Sequence, residues 1–489
     1  MMALLVGQSA QAEPRFEDLS AALDEHVYSG DWEHFVGGGL AVFDCNGDDR
    51  PDIYAAGGQA PAKLFINRGD FEFEVAPLVA LTGVVGAYPL DIDADGMQDL
   101  FVLRVGQNQI LKGDGACGFT DATQIFGLPQ SDRWSTAFTA WWEQGVEKPV
   151  FAVGNYVDRS DPSGPFEACD ANEIFRPTAT GYALDLLEPG FCALSILTAR
   201  DARGVVTLRL SNDRHYYVRD GYEQMWDIRS RRFLTEEDGW ARVSLWGMGI
   251  ASRDLTQDGR DEVMLTSMGD QLLQIATNEG SYTAAPFSIG TYSQRPHTGG
   301  DGRPSTGWHA EFSDIDNDGL ADLFIAKGNV DQMPGMATRD PNNLLMQQPD
   351  GTFVETALEA GVATMERSRG GALADFDGDG LIDIVVSNRR APLELYRNVS
   401  TGTGNWMRVA LRQNGGNRDA IGAIIAVETD TIRQSIQNVI GGGHAGGQLL
   451  PRHFGLGPAL EATITVTWPD GTQTQHLGMA GETLLIRKP

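Results

Sequence analysis

One nine-residue pattern of carboxylates around a glycine occurs five times in this 489-residue chain. Acidic or amide side chains usually take positions 1, 3, 5 and 9, and glycine usually takes position 6. Each copy is followed at once by a short apolar run, which is typical of a strand and too short for a helix. The copies are DCNGDDRPD from Asp44, DIDADGMQD from Asp91, DLTQDGRDE from Asp254, DIDNDGLAD from Asp314 and DFDGDGLID from Asp375.

The spacing of the copies predicts two further units that have lost the acids. The gap between Asp91 and Asp254 is about three times the other spacings, and it contains loop-plus-strand segments near Trp142 and Ala199. Seven anchors, each opening a strand-rich unit of roughly fifty residues, predict a seven-bladed β-propeller. The strand at Phe16–Ser20 has no unit before it, so we expect it to complete the seventh blade and close the ring.

Each acidic loop has the composition of a hard-cation site. Positions 1, 3 and 5 point inward, glycine permits the sharp turn, and position 9 returns from the next strand. Oxygen ligands without nitrogen or sulfur suit Ca²⁺, and we predict three to five structural ions, because metal-free carboxylates at close range disfavour the folded state. The predicted ligands are Asp44, Asn46, Asp48, Asp52, Asp91, Asp93, Asp95, Asp99, Asp254, Thr256, Asp258, Glu262, Asp314, Asp316, Asp318, Asp322, Asp375, Asp377, Asp379 and Asp383.

The charge balance and the N-terminal residues limit the kinds of partner and the cellular compartments that are compatible with this sequence. With 67 acidic against 37 basic residues the formal net charge is -30, whereas a nucleic-acid binder needs a basic surface. No apolar run approaches the roughly 18–20 residues that span a bilayer. Residues 1–12 end in Ala10-Gln11-Ala12 and resemble the back half of a secretory signal, which predicts a secreted or periplasmic bacterial protein. The alternative is an ordinary N-terminus without that role.

The loop-plus-strand unit resembles the FG-GAP or VCBS repeat of integrin-α-type propellers over about residues 14–400. The later part of the chain resembles the ASPIC/UnbV domain, and the combination is similar to bacterial proteins related to cartilage acidic protein. The resemblance implies an exported, calcium-binding protein and brings no catalytic residues. The segments that carry the ASPIC/UnbV resemblance are NWMRVAL at Asn405, NRDAIGAIIAV at Asn417, GGGHAGGQ at Gly441, PRHFGLG at Pro451 and ITVTWPDG at Ile464.

We therefore expect an all-β chain with a propeller at 13–400 and a small β-sandwich-like domain at 401–489, after a truncated signal at 1–12. The segment GGGHAGGQ is interpreted as a flexible loop, and His453 as part of a tight β connection rather than as a ligand. The units near Trp142 and Ala199 are expected to lack metal because their acids are missing.

The four cysteines fit an oxidising compartment. Cys169 and Cys192 lie in a long insertion, where a bridge would close a loop of about 23 residues and contribute roughly 3 kcal/mol in the chain-entropy model. Cys45 and Cys117 lie in turns on one face of neighbouring blades, so a bridge between the two blades is the second expected pairing.

Catalysis is the competing hypothesis. Arg214, His215, Trp246, Trp308 and His309 would form a polar-aromatic pocket if they met near one end of the propeller channel, whereas in the alternative each histidine packs at a strand end. No HExxH, GxSxG or phosphate-loop motif accompanies them. The sequence thus favours a binding or adhesion module for an extracellular or periplasmic protein or glycan. The alternative is a hydrolase or lyase that uses His215 and His309.

Overall fold

The computed structural model describes residues 13–162, 168–213, 221–292, 302–331 and 333–489. Regular structure in these residues is almost entirely β. The exceptions are two one-turn α-helices and four 3₁₀ turns, and no helix among the described residues is long and apolar enough to cross a membrane. The helices are α1 (Thr123–Phe126) and α2 (Ala357–Ala360), and the 3₁₀ turns are Ser20–Ala22, Trp32–His34, Glu236–Asp238 and Phe287–Ile289.

The strands described between residues 13 and 400 form seven antiparallel sets of four, the second and third of which are hydrogen-bonded into one eight-stranded sheet. Strand β1 (Phe16–Asp18) comes first in the chain and belongs to the last of them. The first three units are β2–β5 (Leu40–Phe43, Asp52–Ala55, Lys63–Asn67, Phe73–Val75), β6–β9 (Val84–Leu90, Asp99–Gly106, Gln109–Gly113, Phe119–Asp121) and β10–β13 (Arg133–Trp141, Val150–Asn155, Asn172–Pro177, Tyr182–Leu187).

The remaining units repeat the same up-and-down order, and β1 completes the last one. Phe16 pairs with Asn398, so the N-terminal strand closes the final sheet as the sequence predicted. These units are β14–β17 (Ala193–Arg200, Val206–Asn212, Gln224–Asp227, Arg232–Phe233), β18–β21 (Gly247–Arg253, Glu262–Ser267, Leu272–Ala276, Tyr282–Ala284), β22–β25 (Gly307–Ser313, Asp322–Lys327, Asn343–Gln347, Phe353–Glu355) and β26–β28 (Ser368–Ala374, Asp383–Asn388, Glu394–Asn398) with β1.

The first strands of the units contact one another in a closed cycle from β2 through β6, β10, β14, β18, β22 and β26 back to β2. They are therefore covered on both sides, and β2 and β6 are buried along their whole length. The fourth strands lie at the rim, and β9 and β21 expose most of their residues. This burial gradient confirms the all-β, propeller-like fold predicted from the sequence.

Both predicted disulfides are formed. Cys45–Cys117 joins the first unit to the second, and Cys169–Cys192 ties the connection between β11 and β12 to the start of β14. All four cysteines of the chain are used in this way.

The C-terminal part forms two sheets that face each other. The strands of this part are β29 (Asn405–Arg412), β30 (Ile424–Glu428), β31 (Arg433–Gln437), β32 (Gly447–Leu449), β33 (Arg452–Gly457), β34 (Glu461–Thr467), β35 (Gln473–Met479) and β36 (Thr483–Arg487). Strands β33, β29 and β36 make one sheet, and β31, β30, β34 and β35 make the other, around a core that includes Met407, Phe454, Ile464 and Trp468.

The segment 439–450, here called the plug, leaves this C-terminal domain and enters the ring. Strand β32 within it pairs in parallel with β2. Single bridges then join the plug to four more first strands: Ala87 to Gly446, Ala140 to Ile440, Leu197 to Gly441 and Ile250 to Gly443. The interpretation of GGGHAGGQ as a flexible loop is therefore wrong.

The structure changes the interpretation of two histidines in the C-terminal part. His444 within it is fully buried and accepts a hydrogen bond from Gly37 N at 3.1 Å, so the glycine-rich run is an ordered part of the core. His453 lies within strand β33 rather than in a tight connection. Glycine serves here because backbone must approach backbone closely, not because the segment must move.

Gly39, which directly precedes β2, and Gly86 in β6 make room for the plug. A Cβ atom at Gly86 would lie 1.6 Å from the carbonyl oxygen of Ala445, and one at Gly39 would lie 1.9 Å from the same oxygen. Neither glycine has a positive φ, so the constraint is space rather than backbone conformation.

We predict that Gly86→Ala destabilises the protein by about 1–3 kcal/mol, because the added methyl group forces the plug away from β6. Thermal unfolding measures the change. Gly335→Ala is the matched control, since a Cβ there meets nothing within 4 Å. Equal melting temperatures for the two variants would contradict the seating of the plug against β6.

Candidate metal centres

The side chain at position 9 of each acidic loop joins three pieces of the blade. In the Asp314 loop, Asp322 accepts hydrogen bonds from Ile315 N at 2.9 Å and from Gln347 N at 2.8 Å. The same two bonds recur in the other loops through Asp52, Asp99, Glu262 and Asp383. A role of position 9 in tying the loop to the third strand was missed by the sequence analysis.

The turn of each loop depends on left-handed backbone at two positions. Position 4 has a positive φ, for example 60° at Asn317, and so does position 6, for example 92° at Gly319. In the first loop Asp49 stands at position 6 with φ 64°. Asp and Asn tolerate this region better than most residues, which explains how the loop keeps its shape without the usual glycine.

Three of the five loops bring carboxylates together as a metal site requires. In the loops that begin at Asp91, Asp314 and Asp375, the side chains at positions 1, 3 and 9 each place a carboxylate oxygen within 4.8 Å of the others. Such all-oxygen sets suit hard divalent cations. The loops that begin at Asp44 and Asp254 show no such triplet of carboxylates among the described residues.

The Asp314 loop is the most buried of the three. Asp316 is 2% exposed, and its Oδ1 atom has no hydrogen-bond partner. Burial, together with the neighbouring Asp318, raises the pKa of Asp316 to about 7. Burial also raises the pKa of Asp314 and Asp322 well above the ordinary value. A buried carboxylate oxygen without a partner is costly, so these residues fit a bound cation.

Basic side chains already neutralise part of the charge in the other loops. Arg397 lies 2.7 Å from Asp377, and Arg50 lies 2.5 Å from Asp48. Arg260 lies 2.5 Å from Asp258, and Lys112 contacts both Asp93 and Asp95.

Asp91 nevertheless keeps a buried Oδ1 atom without a partner. The five loops are thus unequal, and the Asp314 loop has the strongest need for a cation.

The two units that have lost the pattern of acids hold their turns by other contacts. In the unit near Ala199, Asp201 accepts hydrogen bonds from the Arg203 guanidinium at 2.5 and 2.9 Å. In the unit near Trp142, the indole nitrogen of Trp142 donates to the carbonyl of Glu147 at 3.1 Å. That these units lack metal stays a prediction.

The C-terminal domain lies directly on the acidic loops, which no sequence signal had indicated. Arg418 approaches Asp91 at 3.6 Å, Arg408 approaches Asp375 at 3.4 Å, and the Ser435 hydroxyl donates to Asp254 at 3.0 Å. A cavity of about 230 Å³ remains between this domain and the ring, and its lining includes Arg253, Glu311, Arg408, Arg452 and His453.

The residues predicted to form a pocket have mixed outcomes. Arg214 and His215 lie outside the described residues. Trp246 packs against the large apolar cluster that includes Trp134 and Trp308. Trp308 is fully buried and donates to the carbonyl of Gly328 at 2.7 Å. His309 Nε2 lies 3.2 Å from the carboxylate of Glu311.

The plug occupies the space beside these two residues. His309 Nδ1 accepts a hydrogen bond from the His444 amide at 3.3 Å, and the His444 ring lies 4.9 Å from that of Trp308. Burial lowers the pKa of His444 to about 3, so its ring is neutral at any ordinary pH. Trp308 and His309 thus serve the packing of the plug.

Comparison with known families agrees with this architecture. Residues 44–102 and 314–386 match the FG-GAP-like repeat, and residues 413–489 match the ASPIC and UnbV family. Cartilage acidic protein 1 of Homo sapiens is 26% identical over 520 residues, covering 97% of this chain and 75% of the relative. The protein of the same name from Xenopus tropicalis is 28% identical, covering 88% and 70%.

Solved structures resemble the chain more distantly. The BBS1N component of a complex with ARL6DN covers 74% of this chain and 92% of its own, with 11% identity and a TM-score of 0.46. The extracellular domain of BT4673 from B. thetaiotaomicron covers 98% and 59%, with 9% identity and a TM-score of 0.42. Both TM-scores lie below 0.5 and carry no information on function.

The chain is a β-propeller-like protein in which FG-GAP-like repeats are followed by a C-terminal ASPIC/UnbV domain. It is homologous to cartilage acidic protein 1, with which it aligns over nearly its whole length.

Proposed function

We propose that the protein is an exported interaction module whose propeller is stabilised by structural Ca²⁺ and which binds an extracellular or periplasmic protein or glycan. The observation that carries the proposal is the coverage of the acidic-loop face by the C-terminal domain and its plug. We assign partner binding to the face at the opposite ends of the first strands.

Calcium is supported by the convergent carboxylates and by the partnerless oxygens of Asp91 and Asp316. In these loops the side chains at positions 1, 3, 5 and 9 would hold the ion, and the ion would offset the repulsion between them. The two disulfides support an oxidising compartment outside the cytoplasm. The signal-like residues 1–12 lie outside the described residues.

The face away from the acidic loops carries an exposed tryptophan. Trp32 is 40% exposed, and its ring lies 5.0 Å from that of Trp134 and 6.1 Å from that of Phe35. Charged residues surround it, among them Arg159, which pairs with Glu33 at 2.9 Å and with Asp132 at 3.2 Å. An exposed aromatic side chain with a polar rim is typical of recognition surfaces.

The hydrolase or lyase alternative loses support because His309 is held between Glu311 and the plug. A general acid or base needs a ring nitrogen within reach of a substrate, and both nitrogens of His309 already have protein partners.

Chelation tests the calcium part of the proposal. We expect the full chain to unfold at a much lower temperature in excess EGTA than in excess Ca²⁺, since the metal-free loops hold unbalanced buried charge. We also expect three to five Ca²⁺ per chain by atomic emission. An unchanged melting temperature together with no bound calcium would contradict the calcium part of the proposal.

Substitution of Trp32 tests the binding face. We expect Trp32→Ala to reduce binding at least about tenfold when the labelled protein is applied to arrays of glycans and of purified extracellular proteins, because the exposed indole is lost. Phe287→Ala is the control, since Phe287 is exposed at the rim of the ring. If ligands bound Trp32→Ala as tightly as they bind the wild type and Phe287→Ala, recognition would lie at another part of the surface.

A further inference from the structure

We propose that cation binding in the Asp314 loop and seating of the plug are thermodynamically coupled, so that each strengthens the other. The inference rests on the calcium sites of the proposed function and goes beyond them. It assigns the C-terminal domain a role in holding a metal loop in shape.

Three hydrogen bonds from the C-terminal part hold the middle of this loop. Gly404 N donates to the carbonyl of Asp316 at 2.9 Å, and Gly457 N donates to that of Asn317 at 2.8 Å. His453 Nε2 donates to Asn317 Oδ1 at 2.6 Å. These bonds act on residues 3 and 4 of the loop, next to the carboxylates that converge.

Asn317 also contacts the neighbouring blade. Its side-chain amide donates to the carbonyl of Gly380, in the Asp375 loop, at 3.0 Å. His453 is therefore connected through one side chain to two of the three loops whose carboxylates converge.

The C-terminal part packs closely against the loop at two glycines. A Cβ atom at Gly455 would lie 2.0 Å from Asp314 Oδ2 and 2.5 Å from Asn317 Cα. One at Gly319 would lie 2.7 Å from the Ile432 side chain. A loop distorted by repulsion between its carboxylates cannot keep this fit, because packed interfaces deform little.

Strand β33, which contacts the loop, follows the plug directly in the chain. The plug ends at residue 450, and β33 begins at Arg452 and carries His453 and Gly455. A change in the loop therefore reaches the plug through two or three residues of backbone. Linkage requires the reverse effect as well, so the unseated domain weakens cation binding by the same factor.

Hydrogen exchange of the full-length chain, followed by mass spectrometry, tests the coupling. Asp318→Asn weakens the Asp314 loop at position 5, and Asp48→Asn makes the same change at position 5 of the Asp44 loop. Each aspartate accepts a backbone hydrogen bond from the residue two positions on, which the amide can retain. Peptides from 438–450 report on the plug, and peptides from 461–479 report on the fold of the C-terminal domain.

In Ca²⁺ we expect Asp318→Asn to speed exchange in the plug about tenfold, a typical size for coupling between sites. Asp48→Asn should match the wild type there, and peptides from 461–479 should stay protected in both variants. The proposal is overturned if Asp318→Asn lowers the bound metal but leaves plug exchange unchanged, or if both variants loosen the plug equally. A wild-type chain without bound metal overturns the calcium sites themselves.

The effect of the C-terminal domain on calcium binding is measured with variants of His453. We expect His453→Leu to weaken calcium binding at one site by calorimetric titration, and His453→Gln, which keeps an N–H donor, to restore part of the affinity. Equal affinity for His453→Leu and the wild type would contradict the coupling.

Discussion

Repulsion between carboxylates that the fold forces together is the constraint on which the rest of this structure depends. In three of the five loops the side chains at positions 1, 3 and 9 converge, and the carboxylate at position 9, such as that of Asp322, is fully buried. Removing such charges from water is costly unless an opposite charge compensates. Where Arg or Lys does so, as Arg50 does beside Asp48, the loop needs a cation less.

The acids at position 9 have a structural role even where a metal is not needed. Asp52 and its counterparts hold the loop to the third strand through two backbone N–H groups. The carboxylate at this position is thus part of the blade architecture. A repeat that has lost it, such as the one near Trp142, must hold its turn by other contacts, as the Trp142–Glu147 hydrogen bond does.

The C-terminal domain converts an open ring into a filled one. Its plug pairs with five first strands, and its arginines and serine reach the loops on the same face. A ring of strands with a vacant axis would leave the inner edges of its first strands exposed to water, and the plug supplies hydrogen bonds there. Recognition is proposed at the face opposite the acidic loops.

Local signals in the chain were enough to predict the repeat, because each copy is a short run of residues close in sequence. The number of strands in the repeats then predicted that the strand at Phe16 closes the last unit, and the structure confirms this pairing. The pairing of Cys45 with Cys117 followed from the blade geometry. The plug could not be predicted in this way. GGGHAGGQ has the composition of a flexible segment, and its order comes from partners such as Gly39 and Gly86, hundreds of residues away.

The differences in charge compensation between the loops could also not be predicted from the local sequence. Lys112 lies on a neighbouring strand and Arg418 in another domain, so their approach to the Asp91 loop depends on the tertiary structure.

The most direct test of the account is a crystal structure grown in Ca²⁺, with anomalous difference maps recorded at long wavelength. The account predicts anomalous peaks inside the loops that begin at Asp91, Asp314 and Asp375, with the highest in the Asp314 loop. Maps without a peak in the Asp314 loop, from crystals that hold the same fold, would contradict it.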